Sequence, residues 1–151
     1  MYLNKILGTK NEIYVTDLKE LEKKFNFMFP QSFLDHYLMY NGGYPEKSLF
    51  VGNDGNEYVV DYFIPVKNEK GQSLFTILPL LNDEKIKPRW LIPFADEEGG
   101  NLFCFSTNEK DNGAIYYYNH EFEYGDNPEK YIEFISESLL DFINNLVEYD
   151  E

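Results

Sequence analysis

The sequence predicts an α+β fold: a central antiparallel sheet of about five or six strands flanked by N-terminal and C-terminal helices. Three observations carry this. Apolar side chains recur at helical spacing near both ends of the chain. The stretch between those ends breaks into short runs rich in Val, Ile, Phe and Tyr. Turns rich in Gly, Asn and Asp separate the runs, as an antiparallel meander requires. At 151 residues the chain is expected to form one domain over 1–151, long enough to bury a core without disulfides or metals.

Each element follows in order. Thr16 or Asp17 can cap a first helix that carries Leu18, Leu21 and Phe25 on one stripe, with Asp17 and Glu20 at capping-box spacing. After a turn at Asn26, Pro30 suits the first turn of a second helix. Phe33, Leu34, Tyr37 and Leu38 form its buried face, and Asn41-Gly42-Gly43 ends it with a left-handed cap. Ser48–Val51 then pairs through Gly52-Asn53-Asp54-Gly55 with Glu57–Ile64. Gln72–Leu81 reads as a short helix broken by Pro79. Strands follow near Trp90–Ala95, Leu102–Ser106 and Ala114–Asn119, and Tyr131–Ile135 reads as a final edge strand. A last helix from about Ser136 aligns Ile135, Leu139, Phe142 and Leu146. The helices are expected to cover one sheet face, leaving the other face and the loops at one end for a partner. Gly99-Gly100-Asn101 reverses the chain between two of the strands, its residues chosen for conformation.

Composition excludes several classes. With 43% apolar and 18% aromatic residues, the chain is a folding sequence rather than a disordered one. One cysteine, Cys104, excludes an internal disulfide and fits a reducing cytoplasm. The opening residues Met1–Lys5 are too polar for a leader, and the longest apolar run, Leu74–Leu81, is far short of a membrane span. The net charge of -14 is uneven: residues 1–95 hold twelve acidic and eleven basic side chains, whereas residues 96–151 hold fifteen acidic and two basic ones. Such a field repels nucleic acid and anionic lipid and speeds encounter with a basic partner. Solubility alone also accounts for an acidic surface.

Catalytic chemistry has little to stand on. His36 sits mid-helix and is expected at the surface or half buried. His120, with Glu121, Glu123 and Asp126 close by, has one imidazole and no second soft ligand, so a solvated acidic loop is the plainer reading than a metal site. Cys104 lies between Phe103 and Phe105, which places its thiol on the opposite side of the strand in a packing role, with no cation close in sequence. Asn53–Glu57 lacks the ligands of a calcium loop. No phosphate-binding Gly-rich loop opens a helix, and no cofactor is expected. Trp90, the single tryptophan, is expected in the core.

Four ordered blocks carry a likeness. They are Phe29-Pro30-Gln31-Ser32-Phe33-Leu34-Asp35-His36-Tyr37-Leu38-Met39-Tyr40-Asn41-Gly42-Gly43, Trp90–Phe105 around Gly99-Gly100-Asn101, Gly113–Glu121, and Ser138–Leu146. In this order, from about Thr16 to Leu146, they resemble the SUKH superfamily, which includes bacterial immunity proteins and a fungal regulator of cell-wall synthesis. The family pattern usually places Phe after the serine of the last block, where Leu139 stands here. The resemblance implies a non-catalytic, cytoplasmic immunity protein that neutralises the toxin domain of a polymorphic or contact-dependent toxin system. It also implies a regulatory scaffold as the alternative. Toxins in that setting are often nucleases, whose substrate grooves are basic because they grip phosphates. Charge and position nominate the contact residues: Asp96, Glu97, Glu98, Asp111, Glu121, Glu123 and Asp126, with Tyr116, Tyr118 and Tyr124 as rigid contact area. A small hydrolase on Asp96, Glu97 and His120 is a third reading.

Overall fold

The computed structural model describes residues 2–81, 87–119 and 132–150. In chain order the elements are β1 (Ile6–Leu7), α1 (Val15–Phe25), α2 (Gln31–Met39), β2 (Tyr44–Pro45), β3 (Leu49–Val51), β4 (Glu57–Phe63), α3 (Leu74–Leu81), β5 (Leu91–Glu97), β6 (Leu102–Ser106), β7 (Ile115–Tyr118), β8 (Ile132–Ser136) and α4 (Leu139–Asn144). The expected architecture is present. Strands β3 to β8 form one six-stranded antiparallel sheet in sequence order. β1 and β2 make a separate two-stranded ribbon, which the sequence did not announce.

The sheet curls strongly. Tyr58 of β4 stacks on Tyr117 of β7 at 3.9 Å between ring centroids, although β5 and β6 lie between those strands in the ladder. Its hydroxyl reaches further and donates to Glu133 Oε2 of β8 at 3.1 Å. One source of curvature is a register shift between Pro93 and Ala95 of β5, where a proline can sit because it need not donate. Inside the curl, Phe103 and Phe105 meet the helices: Phe105 stacks on Phe33 of α2 at 4.1 Å, and Phe103 lies 5.1 Å from Phe142 of α4. Burying aromatics of this size supplies much of the driving force for folding.

Several local expectations need correction. α1 begins two residues earlier than a Thr16 cap allows and three earlier than an Asp17 cap; Asp17 sits in its first turn and accepts from the Tyr14 backbone N–H at 2.8 Å. Pro30 is the residue preceding α2, and the inward face of that helix is Phe33, His36 and Tyr37, with Leu38 exposed. The cap of α2, Tyr40, is extended; the left-handed residues are Gly42 and Gly43, which lie beyond it. Pro79 does not break α3, which continues to Leu81. α4 starts only at Leu139, where Ser138 Oγ accepts from the Asp141 N–H at 3.1 Å.

The second sheet face is closed over β6 and open at β8, where Phe134 is exposed. Leu102, Cys104 and Tyr118 point away from the α2–α4 side and are all buried. Ile77 and Leu81 of α3 border the same cleft as Asp96 and Leu102, so α3 covers part of this face. Trp90 is half buried in the turn before β5, its ring edge-on to Tyr116 at 5.3 Å, rather than in the core.

Candidate functional site

Two hairpin turns meet at one end of the sheet. In the β5–β6 turn, the Glu97 N–H donates to the Asn101 carbonyl and the Gly100 N–H to the Glu97 carbonyl, each at 2.8 Å. Gly100 takes φ 96°, a conformation that disfavours any side chain. Gly99 is needed for closeness: a Cβ there would lie 3.1 Å from Glu97 Oε1. The Glu97 carboxylate holds the turn from beneath, with Oε2 accepting from the Gly99 N–H at 2.8 Å and Oε1 from the Tyr117 hydroxyl at 2.9 Å. Asn101 Nδ2 in turn donates to the Tyr117 oxygen at 2.8 Å.

In the β3–β4 turn, Asp54 Oδ1 accepts from the Asn56 N–H at 3.0 Å, the local bond that makes Asp a turn residue. This stretch is a hairpin. The Glu98 N–H donates to the Val59 carbonyl at 2.9 Å and joins the two turns. Glu133 arrives from β8 opposite Tyr117. Asp54, Glu57, Asp96, Glu97, Glu98 and Glu133 are thereby gathered at one end of the curl.

Among the described residues, the segments at this end carry charge of one sign. Residues 50–60, 95–103, 117–119 and 132–133 contain no Lys or Arg. The two ion pairs recorded between described residues, Lys19–Glu22 and Lys67–Asp17, both lie elsewhere. Asp54, Glu57 and Glu98 are exposed, while Glu97 and Glu133 accept from tyrosines. Burial first, and then the Glu133 carboxylate, pushes the Tyr58 hydroxyl up to about 12. Burial and the bond to Glu97 raise Tyr117 as well. Both phenols therefore stay protonated and donate. The field of charges at this end projects over a Debye length of about 8–10 Å.

The structure separates the nominated residues. Asp96, Glu97 and Glu98 share the turn end, with Asp96 beside the Tyr62 hydroxyl. Asp111 lies at the opposite end, in the β6–β7 connection, where it organises its own hairpin by accepting from Ser106 Oγ at 2.6 Å and from the Tyr116 hydroxyl. Tyr116 is half buried between Trp90 and Phe134, and burial and Asp111 push its hydroxyl up to about 12. Tyr118 is 0% exposed and cannot serve as contact area; it is a core residue. Glu121, Glu123, Tyr124, Asp126 and His120 lie outside the described residues.

The residues that sequence reasoning missed are Asp54, Glu57, Glu133 and Tyr58. Dividing the chain into a near-neutral part and an acidic part concealed Asp54 and Glu57. Reading the β3–β4 hairpin register against the β5–β6 turn could have found them.

Other polar candidates are structural. His36 is buried, not at the surface; the Tyr2 hydroxyl and its Nδ1 are 2.8 Å apart, and burial pulls it down to about 3. Cys104 is buried, and burial pushes its thiol up to about 12 despite the nearby Lys87 ammonium. That lysine is distant in sequence but close in space. Among the described residues, no three His, Cys, Asp or Glu side chains are grouped as metal ligands.

No curated protein sequence matches the chain. A family model does, over residues 14–145, nearly the span of the four ordered blocks, and it is described as the SMI1 / KNR4 family (SUKH-1). A match of that length, on a sheet and helix order that the blocks imply, assigns the protein to the SMI1 / KNR4 family (SUKH-1).

Proposed function

We propose that the protein is an immunity protein that binds and neutralises the toxin domain of a polymorphic or contact-dependent toxin system. We take that domain to be a nuclease and the acidic sheet end to be the surface that engages it. Membership of the family supports an immunity-type or SMI1/KNR4-like role. The observation that carries the finer reading is the gathering of Asp54, Glu57, Asp96, Glu97, Glu98 and Glu133 on segments without a Lys or Arg.

A nuclease groove is lined with cations because it must neutralise phosphates. Carboxylates spaced along two rigid turns offer it the same partner and exclude substrate by occupancy, with no covalent step and no cofactor. Fixed charge on an ordered frame also steers encounter from a distance. The Glu97–Tyr117–Asn101 bonds hold the turn before binding, which lowers the ordering cost on association. Among the described residues no helix is long and apolar enough to cross a membrane, and the proposed site of action is the cytoplasm.

The test is co-expression with the toxin domain encoded beside it, scoring survival and co-purification. Rescue with co-purification supports direct neutralisation. Rescue without it would indicate indirect protection. Rescue and capture both unchanged in an Asp54→Asn/Glu57→Gln/Glu98→Gln variant would remove this surface while leaving the family standing.

A further inference from the structure

A second surface lies on the helical side of the molecule. Helices α2 and α4 pack together and leave a groove of about 350 Å³ between them, bordered by Tyr2, Met39, Tyr40, Leu139 and Leu140 with His36 at its base. The N-terminal segment forms its lip. Tyr2 lies 5.6 Å from the His36 ring and 5.8 Å from Tyr40, and the Leu3 N–H donates to Asn144 Oδ1 at 2.7 Å. Asn4 fixes this lip from below by donating to the Lys47 and Ile143 carbonyls at 2.8 and 3.1 Å. The groove is therefore preformed.

Its rim leaves apolar side chains in water. Met39 is 65% exposed and Leu140 44% exposed. Both border the groove, and both sit where an outward-facing helical position would ordinarily be polar. Methionine at such a rim adapts to the shape of an incoming side chain. The charged positions on the walls carry one sign. Asp35 lines the groove from α2, Asp141 follows Leu140 on α4, and residues 31–40 and 132–151 contain no Lys or Arg. Asp35 spends one oxygen on Gln31 Nε2 at 2.9 Å and keeps the other for a partner.

An apolar slot between two helices, with the Asp35 carboxylate on its wall and no Lys or Arg on either helix, selects its occupant by charge as well as by shape. We infer that the α2–α4 groove docks a basic amphipathic helix of a partner protein. The helix would place an apolar anchor between Met39 and Leu140 and a Lys or Arg side chain against Asp35. A second copy of this chain is disfavoured, since it would bring its own acidic helices to the same rim. This surface is built from different elements than the acidic turns, so either can fail without the other.

The test uses a fluorescein-labelled 14-residue Leu/Lys amphipathic helical peptide, with binding followed by anisotropy. Two control peptides replace every Lys by Glu, or the apolar-face Leu by Ser at unchanged charge. The Leu/Lys peptide is expected to bind and both controls to fail. Met39→Ser/Leu140→Ser is expected to weaken binding by about tenfold or more. Asp35→Asn is expected to weaken it mainly at low salt. Phe134→Ser, which removes an exposed aromatic on β8 outside the groove, should leave binding unchanged. All of these positions are exposed, so the variants should melt as the parent does. Equal binding of the Leu/Glu peptide, retention by the Met39/Leu140 variant, equal loss in Phe134→Ser, or no binding of any peptide would overturn the inference.

Discussion

Asn41 offers the sharpest test of how the chain holds its N-terminal region. The side chain is buried and uses all three of its accessible bonds. Oδ1 accepts from the Val66 N–H at 2.7 Å, and Nδ2 donates to the Asn11 carbonyl at 2.8 Å and the Lys67 carbonyl at 3.0 Å. One amide thereby joins α2, the segment after β1 and the loop after β4. Asn41→Ala leaves the N–H of fully buried Val66 without its acceptor, which costs about 1–3 kcal/mol, and forfeits two further bonds of about 0.5–1.5 kcal/mol each. A loss of about 3 kcal/mol follows. Asn41→Asp should be at least as damaging at neutral pH, because a carboxylate oxygen then faces two carbonyl oxygens. Acid should narrow its deficit relative to the parent, since a protonated carboxyl regains one donor. Urea denaturation of the three proteins at neutral and acidic pH measures this directly. An Ala variant within about 0.5 kcal/mol of the parent, or an Asp variant as stable as the parent, would refute the brace.

Other predictions follow the same logic. Tyr117→Phe removes the donor to Glu97 and the acceptor for Asn101 and should cost about 1–2 kcal/mol by urea denaturation, with faster amide exchange in residues 97–101. His36 has a folded pKa pulled down to about 3 by burial, so the unfolded chain binds more protons between that value and about 6.5. Its contribution is complete above about 6.5 and declines by about 1.4 kcal/mol per pH unit as pH falls towards 3. His36→Phe should flatten the stability–pH curve by that slope, and an unchanged slope would contradict the burial. Phe142→Ala should cost about 3–5 kcal/mol, because its ring is buried against Phe50, Phe94 and Phe103.

Much of the architecture was legible because period and punctuation agree. Gly99-Gly100-Asn101 between two apolar runs specifies a hairpin, and the structure uses those residues for a positive φ, a close approach and a side-chain bond. The inward face of α2 was less legible, because Phe33, His36 and Tyr37 form a stripe of their own and a histidine reads as polar until Tyr2 is seen over it. Pro79 stays within α3 although it has no N–H to donate to the Phe75 carbonyl four residues back, so a local helix-breaking signal is overridden there. Nothing local to Tyr118 tells that its side chain is fully buried; that depends on how distant parts of the chain pack against β7. The acidic end was half legible. Asp96, Glu97 and Glu98 stand together in the chain, whereas Asp54, Glu57 and Glu133 join them only through the register and curl of the sheet.

The central claim is that these gathered carboxylates engage a cationic groove. The most direct measurement is the salt dependence of Kd for the neighbouring toxin domain, comparing the parent with Asp54→Asn/Glu57→Gln/Glu98→Gln. The account predicts steep weakening of the parent as salt rises, and a shallower slope with weaker low-salt affinity in the variant. Equal slopes for the two proteins, or a parent affinity indifferent to salt, would contradict it.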